Sequence, residues 1–195
     1  NGDLIHLDYY LLSEYQEDLN MEQYGVEVTL ITGPTALRRP AGIKIVEVTS
    51  ADEMFDACME ASESADIIVK AAAVGDYRPA EQKIKRGGKD TMTLELVQNR
   101  DIAAELGRRK RPGQLLVGFA AETQNVLENA QKKMAEKNLD MIVSNDVLAP
   151  GAGFAVDTNA VTIMARGAEP VRFSGTKDET ASRILDSISA LAAGK

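Results

Sequence analysis

Three short runs that are apolar at almost every position constrain this chain more than anything else in it. They are DIIVKAAAV at 66–74, LLVGFAAE at 115–122 and DMIVSND at 140–146. A strand with one wet face alternates apolar and polar residues. A run that is apolar throughout has to be covered on both faces, as a parallel strand between two layers of helix is. Helical patterns do lie between these runs. In SADEMFDACMEASES, Met54, Phe55, Cys58 and Met59 recur at helical spacing, with Ser50 as N-cap and Glu53 completing a capping box. RDIAAELGRRK and ETQNVLENAQKKMAEK read as two further helices. VEVTLIT (26–32) and IKIVEVT (43–49) are β-branched strands, and TLELVQ (93–98) is a strand candidate. AVTIMA (160–165) and VRFS (171–174) make a terminal strand pair before a closing helix in KDETASRILDSISALAAG. The order predicts an α/β, three-layer Rossmann-like domain with a mostly parallel sheet and a terminal antiparallel strand pair. No repeat or linker divides residues 1–195, so a single domain is expected.

The charge balance narrows the partners. With 30 Asp and Glu against 22 Lys and Arg, the net charge of −8 disfavours nucleic acid, whose binding rests on neutralising phosphates. No apolar run approaches the roughly 20 residues that span a bilayer, so no membrane is expected either. One cysteine, Cys58, and no secretion-type apolar leader fit a cytoplasmic protein, with Cys58 a small core residue. A lone histidine, His6, argues against a His-rich metal site. The basic run RRKRPG (108–113) reads as a solvated helix C-terminus, where cations complement the dipole.

In open parallel sheets, ligands sit beyond the carboxyl ends of the strands. Three strand ends here are decorated, and all three are expected on one rim: AAVGDYRP, GFAAET and VSNDV. The first leads into a loop with Lys83, Lys85 and Arg86 beside Gly87 and Gly88, which suits an oligophosphate. On charge alone, a solvated surface loop is the stronger reading. Asp76 can accept from a ribose or help hold a metal, or it can be a turn residue bonding its own backbone. Phe119 alone reads as core, and Glu122 as a first-turn acid. Lys133 and Lys137 stand four apart on one helical face, either toward an anion or snorkelling into solvent beside Glu136. Asn145 and Asp146 are rim ligands or turn formers. The chain lacks GxGxxG, a Walker A loop, HExxH and GxSxG, which leaves a dehydrogenase reading weak.

In combination these segments are more specific. VEVTLITGPTAL, AAAVGDYRPAEQKIKR, LELVQNRDIAAELG, VGFAAET and AQKKMAEKNLDMIVSND, in this order from about Gly25 onward, closely resemble the phosphopantothenoylcysteine synthetase family. In many bacteria that family forms the C-terminal half of the bifunctional coenzyme A biosynthesis protein. The resemblance implies a ligase that uses CTP and Mg²⁺ to turn 4′-phosphopantothenate into an acyl-cytidylate, which the amine of cysteine then attacks. It implies Lys83 as the catalytic lysine at the triphosphate. It also implies nucleotide contacts at Ala72, Ala73, Asp76, Phe119, Lys133 and Lys137, and a homodimer with part of its site near the subunit interface. No metal ligand is assigned.

Two departures stand out. The family's first strand is followed by a long Gly- and Ser-rich loop that wraps the phosphates, and residues 1–24 contain nothing like it, although LIHLDYYLL reads as a strand and Ser13 with Gln16 as the cap of a helix to residue 24. Arg100 stands where the family usually has proline. The alternative function is therefore a non-catalytic or impaired nucleotide-binding module of the same fold.

Overall fold

The structure, a computed structural model, describes residues 4–8, 26–36, 39–80, 93–122, 125–146 and 158–194. The helix expected from Ser13 to residue 24 and the basic loop with Lys83, Lys85 and Arg86 lie outside the described residues. Strand β1 (Leu4–Asp8) falls within LIHLDYYLL, and β2 (Glu27–Thr32) and β3 (Lys44–Glu47) follow it. Helix α1 (Ala51–Ser62) leads to β4 (Ile67–Lys70), which stops four residues short of the apolar run that announces it. Two three-residue strands, β5 (Tyr77–Pro79) and β6 (Leu96–Gln98), precede α2 (Ile102–Arg109). Then come β7 (Leu115–Glu122), α3 (Val126–Glu136), β8 (Met141–Asp146), β9 (Thr158–Ala165), β10 (Val171–Thr176) and α4 (Lys177–Ala193).

The main sheet has eight strands in the order β10-β9-β8-β7-β4-β1-β2-β3. Strands β1, β2, β3, β4, β7 and β8 run parallel, while β9 is antiparallel to both β8 and β10. This is the mostly parallel sheet with a terminal antiparallel pair that the aliphatic runs predict. Chain order reverses between β1 and β4, so the crevice at their carboxyl ends is the topological switch point. β5 and β6 stay outside the sheet and pair only with each other, as an antiparallel arm with Tyr77 opposite Gln98. Expectation and structure part here: the loop after residue 74 contains a strand, and TLELVQ shrinks to its last three residues.

Each face of the sheet has its own core. On one face Val28, Leu30, Val69, Val117 and Val143 meet Ala181, Ile184 and Ile188 of α4. On the other, Ile68, Leu116 and Ile142 meet Met54, Phe55 and Met59 of α1, Ile102 and Leu106 of α2, and Met134 of α3. Cys58 packs at the edge of this second core, as its helical position predicts. The α1 cap also holds: Ser50 Oγ accepts from Glu53 N–H at 3.2 Å, while the Glu53 carboxylate reaches back to Thr49 N–H at 2.6 Å.

The basic run 108–113 is not simply a solvated helix end. Arg108 and Arg109 do pair with Glu105 on the surface, holding its carboxyl at about 2. Lys110 instead turns inward and bonds the Asp140 carboxylate at 2.8 Å, its side chain only 11% exposed. Arg111 donates to the carbonyl of Ala65 at 2.7 Å. The reason is tertiary: Asp140 precedes β8 and also accepts from Leu116 N–H at 2.8 Å, so the cation completes a latch across the amino ends of β7 and β8.

Candidate functional site

β4, β7 and β8 are parallel neighbours, so their three decorated ends do open onto one rim. Against this rim, on the side covered by α2 and α3, lies a cleft of about 170 Å³. One wall is the exit of β4, Lys70 and Val74–Asp76. A second is the passage from β6 into α2, from Gln98 to Ala103. Gly118 and Phe119 of β7 form its floor with Leu139 and Ile142, and Lys133 enters from α3 and Lys137 from the C-cap that ends it.

The cleft brings together four of the residues anticipated from sequence: Asp76, Phe119, Lys133 and Lys137. Lys83 lies outside the described residues. Ala72 packs against the α1–α3 core, and its carbonyl accepts a hydrogen bond from Lys70 Nζ; Ala73 is exposed, and neither lines the cleft. Phe119 borders the cleft while its apolar surface packs against the core on the α4 face. At the end of β8, Ser144 Oγ and Asn145 Oδ1 are buried with no hydrogen-bond partner among the described residues. The sheet therefore ends in polar atoms, not an apolar cap.

The helix start nearest the cleft is organised by Asp101. Its side chain caps α2 by accepting from Ala104 N–H at 3.0 Å, and Lys137 Nζ reaches it at 2.9 Å. Burial pushes the Asp101 carboxyl up. The Lys137 and Ala104 hydrogen bonds and the charges of Lys137 and Lys70 outweigh that and hold it below its ordinary value. Lys137 is placed in turn by backbone packing. A Cβ at Gly107 of α2 would stand 1.9 Å from the carbonyl oxygen of Lys137, so only glycine lets α2 and the end of α3 approach this closely.

Sequence reasoning passed over Asn99 and Lys70 and noticed Arg78 only as one of the cations gathered after β4, without a role. Asn99 donates through Nδ2 to the Gly75 carbonyl at 2.7 Å, and its backbone N–H donates to the Asp76 carbonyl at 2.8 Å. Its Oδ1 accepts from Arg78 at 2.7 Å, and Arg78 pairs with Asp52 of α1 at 2.9 Å. The rim loop carrying Asp76 is thereby tied to β6, and the arm to α1. Arg100 joins the same cluster through Asp52 at 3.1 Å and Asp56 at 2.9 Å, with its guanidinium 3.8 Å from the centroid of the Phe55 ring. The only signal in sequence was the pair of acids Asp52 and Asp56, one helical turn apart, which by themselves look like a solvated face.

Among the described residues no group of three or more His, Cys, Asp or Glu could hold a metal ion. The carboxylates lining the cleft are Asp76 and Asp101, and Asp101 is engaged by Lys137. One open carboxylate fits Mg²⁺ that comes with phosphate oxygens and water, and does not fit an all-protein cage.

Residues 19–191 match the sequence profile of the DNA/pantothenate metabolism flavoprotein C-terminal domain family. The chain is 49% identical over 147 residues to the coenzyme A biosynthesis bifunctional protein CoaBC of Bacillus subtilis (strain 168), covering 72% of this chain and 35% of that protein. It is 46% identical over 169 residues to a cysteine/cysteine sulfinic acid decarboxylase of an unknown prokaryotic organism, covering 84% of this chain and 47% of that protein. The chain thus spans less than half the length of these two relatives. Among solved structures, the C-terminal domain of a CoaBC bifunctional protein superposes over the full length of both chains with a TM-score of 0.79 at 34% identity.

Proposed function

The chain belongs to the DNA/pantothenate metabolism flavoprotein C-terminal domain family, and we propose that it is a phosphopantothenate–cysteine ligase unit of coenzyme A biosynthesis. In this reading a carboxylate oxygen of 4′-phosphopantothenate attacks the α-phosphorus of CTP. The α–β bridge breaks, pyrophosphate leaves, and an acyl-cytidylate remains. The cysteine amine then adds to the acyl carbon and loses its proton, and CMP departs as the amide forms. Neither step needs a nucleophile from the protein. What the protein supplies is orientation and neutralisation of the charge that builds on the leaving phosphates.

The observation that carries this reading is the cleft at the rim, which gathers Asp76, Phe119, Lys133 and Lys137 at the start of α2. Lys133 and Lys137 hold the phosphates, and Lys83, which falls in sequence between β5 and β6, is the catalytic lysine of this reading. Asp76 meets the ribose or shares the Mg²⁺ that shields the triphosphate. The side of Phe119 flanks the base, and Ala72 and Ala73, outside the cleft itself, belong to the exit of β4 that leads to Asp76. A homodimer accords with the β5–β6 arm, where Tyr77, Leu94 and Leu96 expose between 48 and 60% of their surface.

One feature favours the second reading, a nucleotide-binding module without turnover. Between the end of β1 at Asp8 and the start of β2 at Glu27 the chain has a single glycine, Gly25, where phosphates need close backbone approach. Pyrophosphate release with CTP, Mg²⁺ and 4′-phosphopantothenate, with and without cysteine, separates the two. Release that depends on phosphopantothenate supports the ligase. CTP binding by calorimetry without release leaves the binding module, and neither binding nor release rejects both.

A further inference from the structure

Position 70 is unusual for its place in the fold. β4 sits near the middle of the sheet, with helices over the α1–α3 face, and alternation puts Lys70 on that face with Ile68. Its cross-strand partner on β7 is Gly118, where an added Cβ would come within 2.7 Å of Leu139. The face is otherwise built of Ile68, Leu116 and Ile142. An ammonium half-buried in such a layer loses hydration, a cost without purpose for packing alone. The side chain bends toward the carboxyl end of β4, donating to the Ala72 carbonyl, and lines the cleft. It stands close enough to Asp101 for its charge to help hold that carboxyl below its ordinary value. The charged side chains lining the cleft are Lys70, Arg100, Lys133 and Lys137 with Asp76 and Asp101; Arg100 is also paired with Asp52 and Asp56, and Lys137 with Asp101. The N-terminus of α2 adds its positive end on the same side.

We propose that Lys70 is a ligand-contacting residue of this cleft and binds the phosphate chain of the nucleotide, forming a third ammonium point with Lys133 and Lys137. The assignment rests on the nucleotide reading of the cleft given above. Lys70 reaches the phosphates from the sheet while the other two reach them from α3 and its C-cap, so the anion is held from two layers of the fold. A flexible ammonium suits this position, because it can exchange the Ala72 carbonyl for a phosphate oxygen by rotation of its stem.

The test is calorimetry on the full chain with Mg²⁺–CTP and with inorganic pyrophosphate, plus cytidine followed by NMR titration. Wild type is compared with Lys70→Met and Lys70→Arg. Lys70→Gln, which keeps a donor for Ala72 and drops the charge, replaces the Met variant if melting shows that Met disturbs the fold. Loss of the charge should weaken CTP and pyrophosphate by about tenfold or more, leave cytidine unchanged, and be largely restored in Lys70→Arg. An equal loss for cytidine would mean that Lys70 acts only through the Ala72 backbone, and unchanged pyrophosphate and CTP affinity would remove it from the site; either overturns the proposal while leaving the nucleotide reading intact. If wild type itself binds neither CTP nor pyrophosphate, the nucleotide reading falls and the proposal with it.

Discussion

Gly107→Ala should destabilise this protein, although the same change in an ordinary helix interior stabilises it. Alanine is better than glycine inside a helix by about 1 kcal/mol, because it loses less backbone entropy on folding. Gly107 lies inside α2, and a Cβ there would stand 1.9 Å from Lys137 O and 2.8 Å from Lys137 C. The obstacle is backbone, not the end of a mobile side chain, so α2 and the end of α3 have to separate by about 1.5 Å to reach ordinary contact. Overpacking of this kind costs roughly 1–3 kcal/mol, and a backbone-to-backbone clash belongs at the upper end or above. Separation also strains the hydrogen bond from Asn138 Nδ2 to the Gly107 carbonyl, 2.9 Å long. After subtracting the propensity gain, a net loss of about 2 kcal/mol remains, which lowers Tm by roughly 4–8 °C in a chain of this size. Urea denaturation gives the stability change from the midpoint at constant m. Nucleotide affinity should fall with it, since Lys137 would move away from Asp101 and from the cleft. A Gly107→Ala protein as stable as wild type, or more so, would refute the packing argument.

Asp140→Asn leaves Lys110 largely buried without its carboxylate and should cost about 3 kcal/mol, read from the urea midpoint; a change below roughly 0.5 kcal/mol would mean that water already reaches the pair. Arg78→Ala should lower stability by less than about 1 kcal/mol, because its pair with Asp52 is partly exposed, yet weaken nucleotide binding several-fold by releasing Asn99 and the loop of Asp76; parallel small changes in both would deny Asn99 this positioning role. Asp101 has a folded pKa below its unfolded one, so the unfolded chain takes up the proton first. Its contribution is present above about pH 4 and is lost as pH falls through the lower folded value. Asp101→Asn should therefore flatten the acid limb of the stability profile relative to wild type, and identical acid limbs would sever that link.

Much of the architecture follows from the sequence because its causes are local or periodic. Unbroken apolar runs specify strands buried on both faces, and β4, β7 and β8 lie where DIIVK, LLVGFAAE and DMIVSND put them. Helical spacing placed Met54, Phe55 and Met59 on the core side of α1 and set Lys133 and Lys137 on one face, which is why they enter the cleft together. The family was also legible, carried by the order of motifs along the chain and not by any single residue.

Other features exist only because distant segments meet. Nothing near Lys110 announces Asp140, thirty residues on, so a cation that reads as solvated becomes one half of a buried pair. Tyr77–Pro79 is too short to signal a strand and becomes one only by finding Leu96–Gln98, about twenty positions on in sequence. Gly107 looks like a flaw in α2 until Lys137 O stands where its side chain would be. Lys70 looks like the polite end of an apolar run until α2 and α3 close over it. The division has one physical reason: periodicity and capping act over a few bonds and can be read along the chain, whereas burial, charge pairing and close backbone approach depend on which segments the fold brings within a few ångströms of one another.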